Sequence, residues 1–219
     1  MNWPNAQSAR LFGLIQPALQ ALPNDLSWSL GGGTALTMWL DHRLSHDIDL
    51  FFESARALRL LSPNRNPLTK AITPKTQQPG NYLKFEVAGV GEIDILVIRD
   101  WTSTPTKKVT VGLVPMDVQT PAEILARKIA YCATNFQVRD FFDLAATALF
   151  ATQELVALRP PLTGKRAVLA QRWKVLEPQI EQSVKAVTPT ARGSTVVPHM
   201  RYVIGRLLGI VSKNALGSS

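Results

Sequence analysis

Apolar and polar positions change their period several times along the first hundred residues. Leu11, Phe12, Ile15, Leu19 and Leu22 recur at helical spacing and predict an opening helix over 6–22, stopped by Pro23-Asn24-Asp25. Pro17 lies inside that stretch and is expected to kink or split it. Residues 26–30 then read as a short strand, Gly31-Gly32-Gly33 as a turn, and the residues from about Thr34 as a helix. The run Asp47-Ile48-Asp49-Leu50-Phe51-Phe52 follows as a buried strand. Two β-rich runs, 82–88 and 92–98, flank Gly89-Val90-Gly91 and predict a hairpin. A further strand is expected over 109–115, while 62–80, rich in Pro, Asn, Thr and Gln, reads as a mobile loop or an irregular strand.

The second half is helical in pattern. Thr120-Pro121-Ala122-Glu123 supplies an N-cap hydroxyl, a proline at the first helical position and a glutamate three residues after the cap, so a helix should start there and run to about 134. A second is expected over 139–154. Arg159-Pro160-Pro161-Leu162-Thr163-Gly164 reads as a break before helical stretches near 165–186, interrupted at Pro178, and 199–213, joined by a loop over 188–198. Gly217-Ser218-Ser219 reads as a frayed end. The pattern predicts an α+β protein: residues 1–118 form a mixed or antiparallel sheet flanked by helices, and 119–219 form a helical region.

Composition narrows the class. A chain of 219 residues with 46% hydrophobic content is globular rather than disordered. No basic leader precedes an apolar segment, and no run of about 18 apolar residues occurs, so the expectation is a cytoplasmic protein with no membrane partner. A lone cysteine, Cys132, excludes an internal disulfide and a zinc site built on several thiolates, and reads as a small core residue. The net charge of +8 is unevenly placed: from residue 151 onward ten Lys and Arg face three Glu, whereas the first 150 residues hold 14 basic and 13 acidic side chains. A basic rear suits a nucleic-acid backbone, and it also suits a solvated helix face.

The candidate chemistry lies in the front part. Gly31, Gly32 and Gly33 let the backbone approach a polyphosphate, and a helix starting behind them would aim free N–H groups at the same anion. Asp47 and Asp49, two apart on a strand, share a face, where two desolvated carboxylates call for cations. Asp94 alternates with Ile93 and Ile95, so it and Glu92 share the side that Asp47 and Asp49 can line. That set suits two divalent cations, with Mg²⁺ the best fit to oxygen ligands; the alternative is that Asp94 ends a hairpin and pairs with a surface lysine. Lys128 emerges beside an inward stripe of Ile124, Leu125, Ile129 and Cys132, either to snorkel to solvent or to reach phosphates. Arg139, Asp140 and Asp143 open the next helix, where acids also favour the N-terminal dipole. Ser45-His46-Asp47 is no hydrolase triad, because adjacent side chains on extended chain point apart, and His42 with His46 lacks the glutamate and third histidine of a helical zinc site.

Four ordered segments resemble the AbiEii/AbiGii nucleotidyltransferase toxin family, which includes MenT-like toxins, within the DNA polymerase β-like superfamily: Gly32-Gly33-Thr34-Ala35-Leu36, residues 42–51, residues 120–128 and Arg139-Asp140-Phe141-Phe142-Asp143-Leu144. They span roughly residues 28 to 150. The resemblance implies a minimal nucleotidyltransferase fold in 1–118, with the helical region 119–219 completing a nucleotide cleft. It implies a toxin of a toxin–antitoxin or phage-defence pair that uses Mg²⁺ or Mn²⁺ to move a nucleoside monophosphate from a nucleoside triphosphate to RNA, tRNA above all, with a cognate antitoxin as partner. By motif, Asp47, Asp49 and Asp94 hold metal, Asp94 by strand position only. Gly32, Gly33, Thr34, Arg43, Ser45, Lys128, Arg139 and Asp140 contact nucleotide, and Lys128 and Asp143 join the three acids in catalysis. The other readings are a toxin that binds a triphosphate without turning it over and acts through a protein partner, and a transferase modifying a small molecule.

Overall fold

Residues whose side chains alternate between buried and half-buried build the sheet that dominates the first part of the chain. A computed structural model describes residues 1–210, and the chain divides into two compact units, residues 1–39 with 44–123, and residues 40–43 with those from 124 onward. The expected end of the last helix over 211–213, Lys213 and the terminal Gly217-Ser218-Ser219 lie outside the described residues.

The first unit opens with α1 (Ala6–Gln20), capped by Asn5, whose Oδ1 accepts from the Ser8 N–H at 2.9 Å. Pro17 does not split this helix: burial of Leu11, Phe12, Ile15, Ala18 and Leu19 on one face holds both sides of the proline in line. Seven strands follow: β1 (Trp28–Gly31), β2 (Ile48–Phe52), β3 (Thr76–Gln77), β4 (Tyr82–Val87), β5 (Gly91–Val97), β6 (Thr106–Val111) and β7 (Val114–Gln119), with α2 (Gly32–Leu40) after β1 and the short helices α3 (Arg56–Leu61) and α4 (Pro67–Lys70) after β2. Their order in the sheet is β3-β4-β5-β2-β1-β7-β6, with β2/β5 and β1/β7 parallel and the other neighbours antiparallel. One face is apolar: Leu30, Ile48, Leu50, Leu83, Phe85, Ile93, Ile95 and Val118 are buried on it, against α1 and α3. The other face carries Lys84, Asp94, Asp49 and Gln119.

One expectation in this unit is corrected. The single strand over 109–115 is the hairpin β6/β7, turned at Gly112 (φ 60°) with Leu113 projecting 96% exposed. An apolar residue at a turn tip had disguised the turn as continuing strand. The segment 62–80, read as a mobile loop or an irregular strand, is mostly irregular, with α4 and the two-residue β3 set in it, and Asn66 caps α4 by accepting from the Leu68 and Thr69 N–H groups.

The second unit is helical among its described residues. Helix α5 (Pro121–Cys132) begins at the last residues of the first unit, and α6 (Val138–Phe150), α7 (Leu155–Leu176), α8 (Ile180–Lys185), α9 (Ala191–Ser194) and α10 (Met200–Leu208) follow. Phe141 sits edge-on between Phe136 and Trp173, each at a 4.9 Å ring separation, and these rings with Leu144, Leu158, Leu169 and Ile204 make the core. The predicted break at 159–164 does not occur. Pro160 and Pro161 lie inside α7, where the buried Leu158 and Leu162, one turn apart, anchor the helix on either side. Cys132 is exposed at the end of α5 rather than buried in the core, because the chain leaves the packed stripe there for a 3₁₀ turn over 133–135. Among the described residues no single helix is long and apolar enough to cross a membrane.

Candidate active site

Strand register lines up the first group of candidate residues. On the polar face of the sheet Lys84 lies opposite Asp94, Asp94 opposite Asp49, and Asp49 opposite Gly31. A single row thus crosses four strands with an ammonium, two carboxylates and a glycine, neighbouring strands being about 4.8 Å apart. The hairpin turn fixes this register: Gly89 (φ 70°) and Gly91 (φ 149°) adopt backbone that side chains disfavour, and the turn closes with the Val90 N–H donating to Val87 O at 3.0 Å.

Asp47 stands immediately before β2, exposed, and its Oδ1 accepts the Glu92 N–H at 2.9 Å. The segment that carries it is pinned from two elements. Asn5 Nδ2 donates to Ser45 O at 2.7 Å, and the fully buried Thr34 hydroxyl donates to Asp47 O at 2.5 Å and lies 3.2 Å from Ser45 Oγ. Thr34 thus ties the start of α2 to the segment that carries Ser45 and Asp47. Gly32, at φ 64°, turns β1 into α2, and a Cβ there would stand 1.9 Å from Asp49 Oδ2. Gly31 is as tightly used, with Gln119 Oε1 2.2 Å from where its Cβ would be. The glycines thus make room for the site's own side chains.

Lys84 Nζ bridges Glu92 Oε2 at 2.5 Å and Asp94 Oδ2 at 3.1 Å. The lysine partner considered for Asp94 is present, but on the sheet face rather than at the hairpin end. Asp94 Oδ1 is buried and accepts no hydrogen bond among the described residues. Burial pushes the Asp94 carboxyl above its ordinary value, Lys84 opposes that shift, and Glu92 and Asp47 add to it. For Lys84, burial pulls downward, yet hydrogen bonds to Glu92 and Asp94 leave its ammonium more firmly protonated than an ordinary lysine. Among the described residues no group of three or more His, Cys, Asp or Glu side chains is placed to hold a metal ion by itself. The donor set still fits Mg²⁺, which binds through one or two carboxylates plus substrate phosphates, and the orphaned Asp94 oxygen is a ligand atom in want of a cation.

The second group of candidates forms its own cluster in the second unit. Asp143, wholly buried on α6, receives Arg43 Nε at 2.6 Å and Nη2 at 3.1 Å, Lys128 Nζ at 2.9 Å, and lies 2.8 Å from His42 Nε2. Burial would raise its carboxyl, but Arg43, Lys128 and His42 hold it well below the usual carboxylate range. Lys128 also donates to Asp140 Oδ1 at 2.8 Å. Burial pulls its ammonium down, and the two aspartates outweigh that and raise it. Asp140 caps α6 as well, its Oδ2 accepting the Gln137 N–H at 2.9 Å. Residues 40–43 are clamped by the chain near 190: the Thr190 N–H donates to His42 O at 3.1 Å, and a Cβ on Gly193 would fall 1.6 Å from that oxygen. Arg139 is exposed.

Sequence reasoning missed two participants. His42, set aside as a zinc ligand, is a buried partner of Asp143. Lys84 was not singled out, although counting back from the Gly89–Gly91 turn places it opposite Asp94. Glu123 departs from its expected place: the Thr120 hydroxyl accepts the Glu123 N–H at 3.2 Å, but the Glu123 carboxylate receives the Trp101 and Thr102 N–H groups instead of closing back on the cap.

A mixed sheet with acids on one face and a glycine turn beside them makes up the first unit, and helices make up the second. The model of the AbiEii nucleotidyltransferase toxin of type IV toxin–antitoxin systems matches residues 17–174, and the chain belongs to that family. It is accordingly a transferase that uses nucleoside triphosphates, and a toxin of that system has an antitoxin partner. No curated protein sequence matches the chain. Among solved structures it is similar to ANT(2″)-Ia in complex with adenylyl-2″-tobramycin, at 15% identity and a TM-score of 0.50, over 77% of this chain and 99% of the other. It is also similar to the nucleotidyltransferase toxin MenT4 of Mycobacterium tuberculosis, at 16% identity and a TM-score of 0.49, over 96% of this chain and 87% of that one.

Proposed function

We propose that this protein transfers a nucleoside monophosphate from a nucleoside triphosphate to a hydroxyl of RNA, with tRNA as the acceptor, in a Mg²⁺-dependent reaction. The observation that carries the reading is the row Gly31, Asp49, Asp94 and Lys84 on the open face of the sheet. Asp47, Asp49 and Asp94 are the residues that would hold the metal, which when bound neutralises the triphosphate and the leaving pyrophosphate. Gly32 and Gly33, at the start of α2, offer backbone N–H groups to phosphate.

The acceptor oxygen attacks the α-phosphorus, the bond to the pyrophosphate oxygen breaks, and the hydroxyl proton goes to a carboxylate. Asp94, on the row beside Asp49, is the acid assigned that proton. Lys128 is assigned a phosphate contact and Asp143 or Asp140 a polar role on motif alone, as are Arg43, Ser45 and Arg139.

An RNA acceptor is favoured by the second unit's charge. Arg159, Arg166 and Lys174 are exposed on α7 at spacings of seven and eight residues, a basic stripe repeating about every two turns that suits a nucleic-acid backbone. Purified full-length protein given labelled nucleoside triphosphates, Mg²⁺ and separate acceptor pools of tRNA, other RNA and small amines tests this. Label on tRNA supports the proposal, and label only on a small amine replaces it. In cells, Asp49→Ala abolishes growth inhibition if chemistry is the mechanism, whereas a toxin acting by binding alone keeps it.

A further inference from the structure

The lysine on the acidic row has two carboxylates to hold and one of them is wanted elsewhere. Lys84 reaches from β4 to Asp94, its register partner, and to Glu92, two residues along β5. The Glu92 side chain is 42% exposed and that of Asp94 24%, so the two seats differ: one is at the surface, the other is part of the row that includes Asp49. An ammonium on a four-carbon stem rotates between such seats at little cost, whereas a divalent cation at Asp94 and an ammonium 3.1 Å from the same carboxylate repel strongly in a half-buried site.

We propose that Lys84 is the resident counter-ion of the acidic row, and that a divalent cation binds by displacing its ammonium from Asp94 onto Glu92. This rests on the metal reading of the row given above. In the absence of metal Lys84 compensates Asp94 and Glu92, and it sets the threshold concentration at which a divalent ion, alone or carried by a triphosphate, takes the site. Lys84 is thus a positioning residue: it touches neither the triphosphate nor the reacting atoms, and acts through Asp94.

The test is Mn²⁺ binding to the full-length chain, read by the electron paramagnetic resonance signal of the free ion. Lys84→Gln is expected to tighten binding on the order of tenfold or more, because one competing positive charge is removed. Lys84→Arg, which keeps the charge, is expected to stay near wild type, and Asp49→Asn to lose the site. Unchanged or weaker binding in Lys84→Gln, with Asp49→Asn still abolishing it, overturns the role of Lys84 and leaves the metal reading standing. No Mn²⁺ held by wild type or Lys84→Gln at millimolar ion, either alone or beyond what a non-hydrolysable triphosphate holds by itself, removes the metal reading, and this proposal with it. A second measurement needs no variant: acylation of Lys84 in the wild-type chain, followed by peptide mass spectrometry, should quicken when Mg²⁺ is added, since the amine gives up one of its two carboxylates and keeps only the more exposed one. Protection by Mg²⁺ overturns the displacement.

Discussion

Gly32 has no side chain where Asp49 needs its carboxylate: Oδ2 of Asp49 lies 1.9 Å from the position a Cβ on Gly32 would take, and Gly32 holds φ at 64°. Gly32→Ala must therefore swing the Asp49 carboxylate out of the row and strain the strand-to-helix turn. Nucleotidyl transfer is expected to fall by about 100-fold or more, as a misplacement of about 1 Å in a reacting constellation does. Stability should drop by more than about 1 kcal/mol, since the new Cβ also falls 2.8 Å from Asp49 Cβ. Initial rates and urea unfolding of the same preparation separate the two, and an active Gly32→Ala protein would break the link between the turn and the acid.

Asp143 is buried under Arg43, Lys128 and His42, so removing its charge strands cations rather than merely losing a bond. Asp143→Asn is expected to cost about 3–5 kcal/mol by chemical denaturation. A loss under about 1 kcal/mol would mean that the cluster does not hold the unit together.

The same carboxylate sets an acid dependence whose sign can be worked out. The unfolded chain takes up a proton at Asp143 near the ordinary value of 3.8, while the folded protein holds this group well below it. The stabilisation is complete above 3.8 and is lost as pH falls from there toward the folded value. Asp143→Asn should flatten the fall in unfolding free energy between about pH 4 and pH 2 relative to wild type. An unchanged slope would place the acid sensitivity in other groups.

Gly193 stands against the His42 carbonyl with no space for a methyl group, the hypothetical Cβ lying 1.6 Å from a backbone oxygen that cannot swing aside. Gly193→Ala should destabilise the protein by about 1–3 kcal/mol through overpacking, read as a lowered thermal midpoint. A midpoint equal to wild type would show that the clamp on residues 40–43 is loose.

Much of the front unit was legible because its signals are local. The glycine turn and the hairpin around Gly89–Gly91 are written in short stretches, and the alternation of Asp94 with Ile93 and Ile95 correctly placed it on the polar face. The failures are equally physical. Leu113 is apolar at a turn tip, so hydropathy merged β6 with β7, and the prolines of α7 were outvoted by the buried leucines around them. The pairing of His42 and Arg43 with Asp143 joins residues about a hundred positions apart, which no local pattern encodes. Lys84 lay between these cases, since its place follows from the hairpin register once the turn is accepted.

The most direct test of the central claim, that nucleotidyl transfer occurs at the row of Asp49 and Asp94, is label transfer from α-³²P nucleoside triphosphates to tRNA by wild type, Asp49→Asn and Asp94→Asn proteins of confirmed fold. Wild type should label tRNA in Mg²⁺, and each variant should lose about 100-fold or more of the rate. Transfer at wild-type rate by either variant, or no transfer by a wild-type protein that binds the triphosphate, would contradict it.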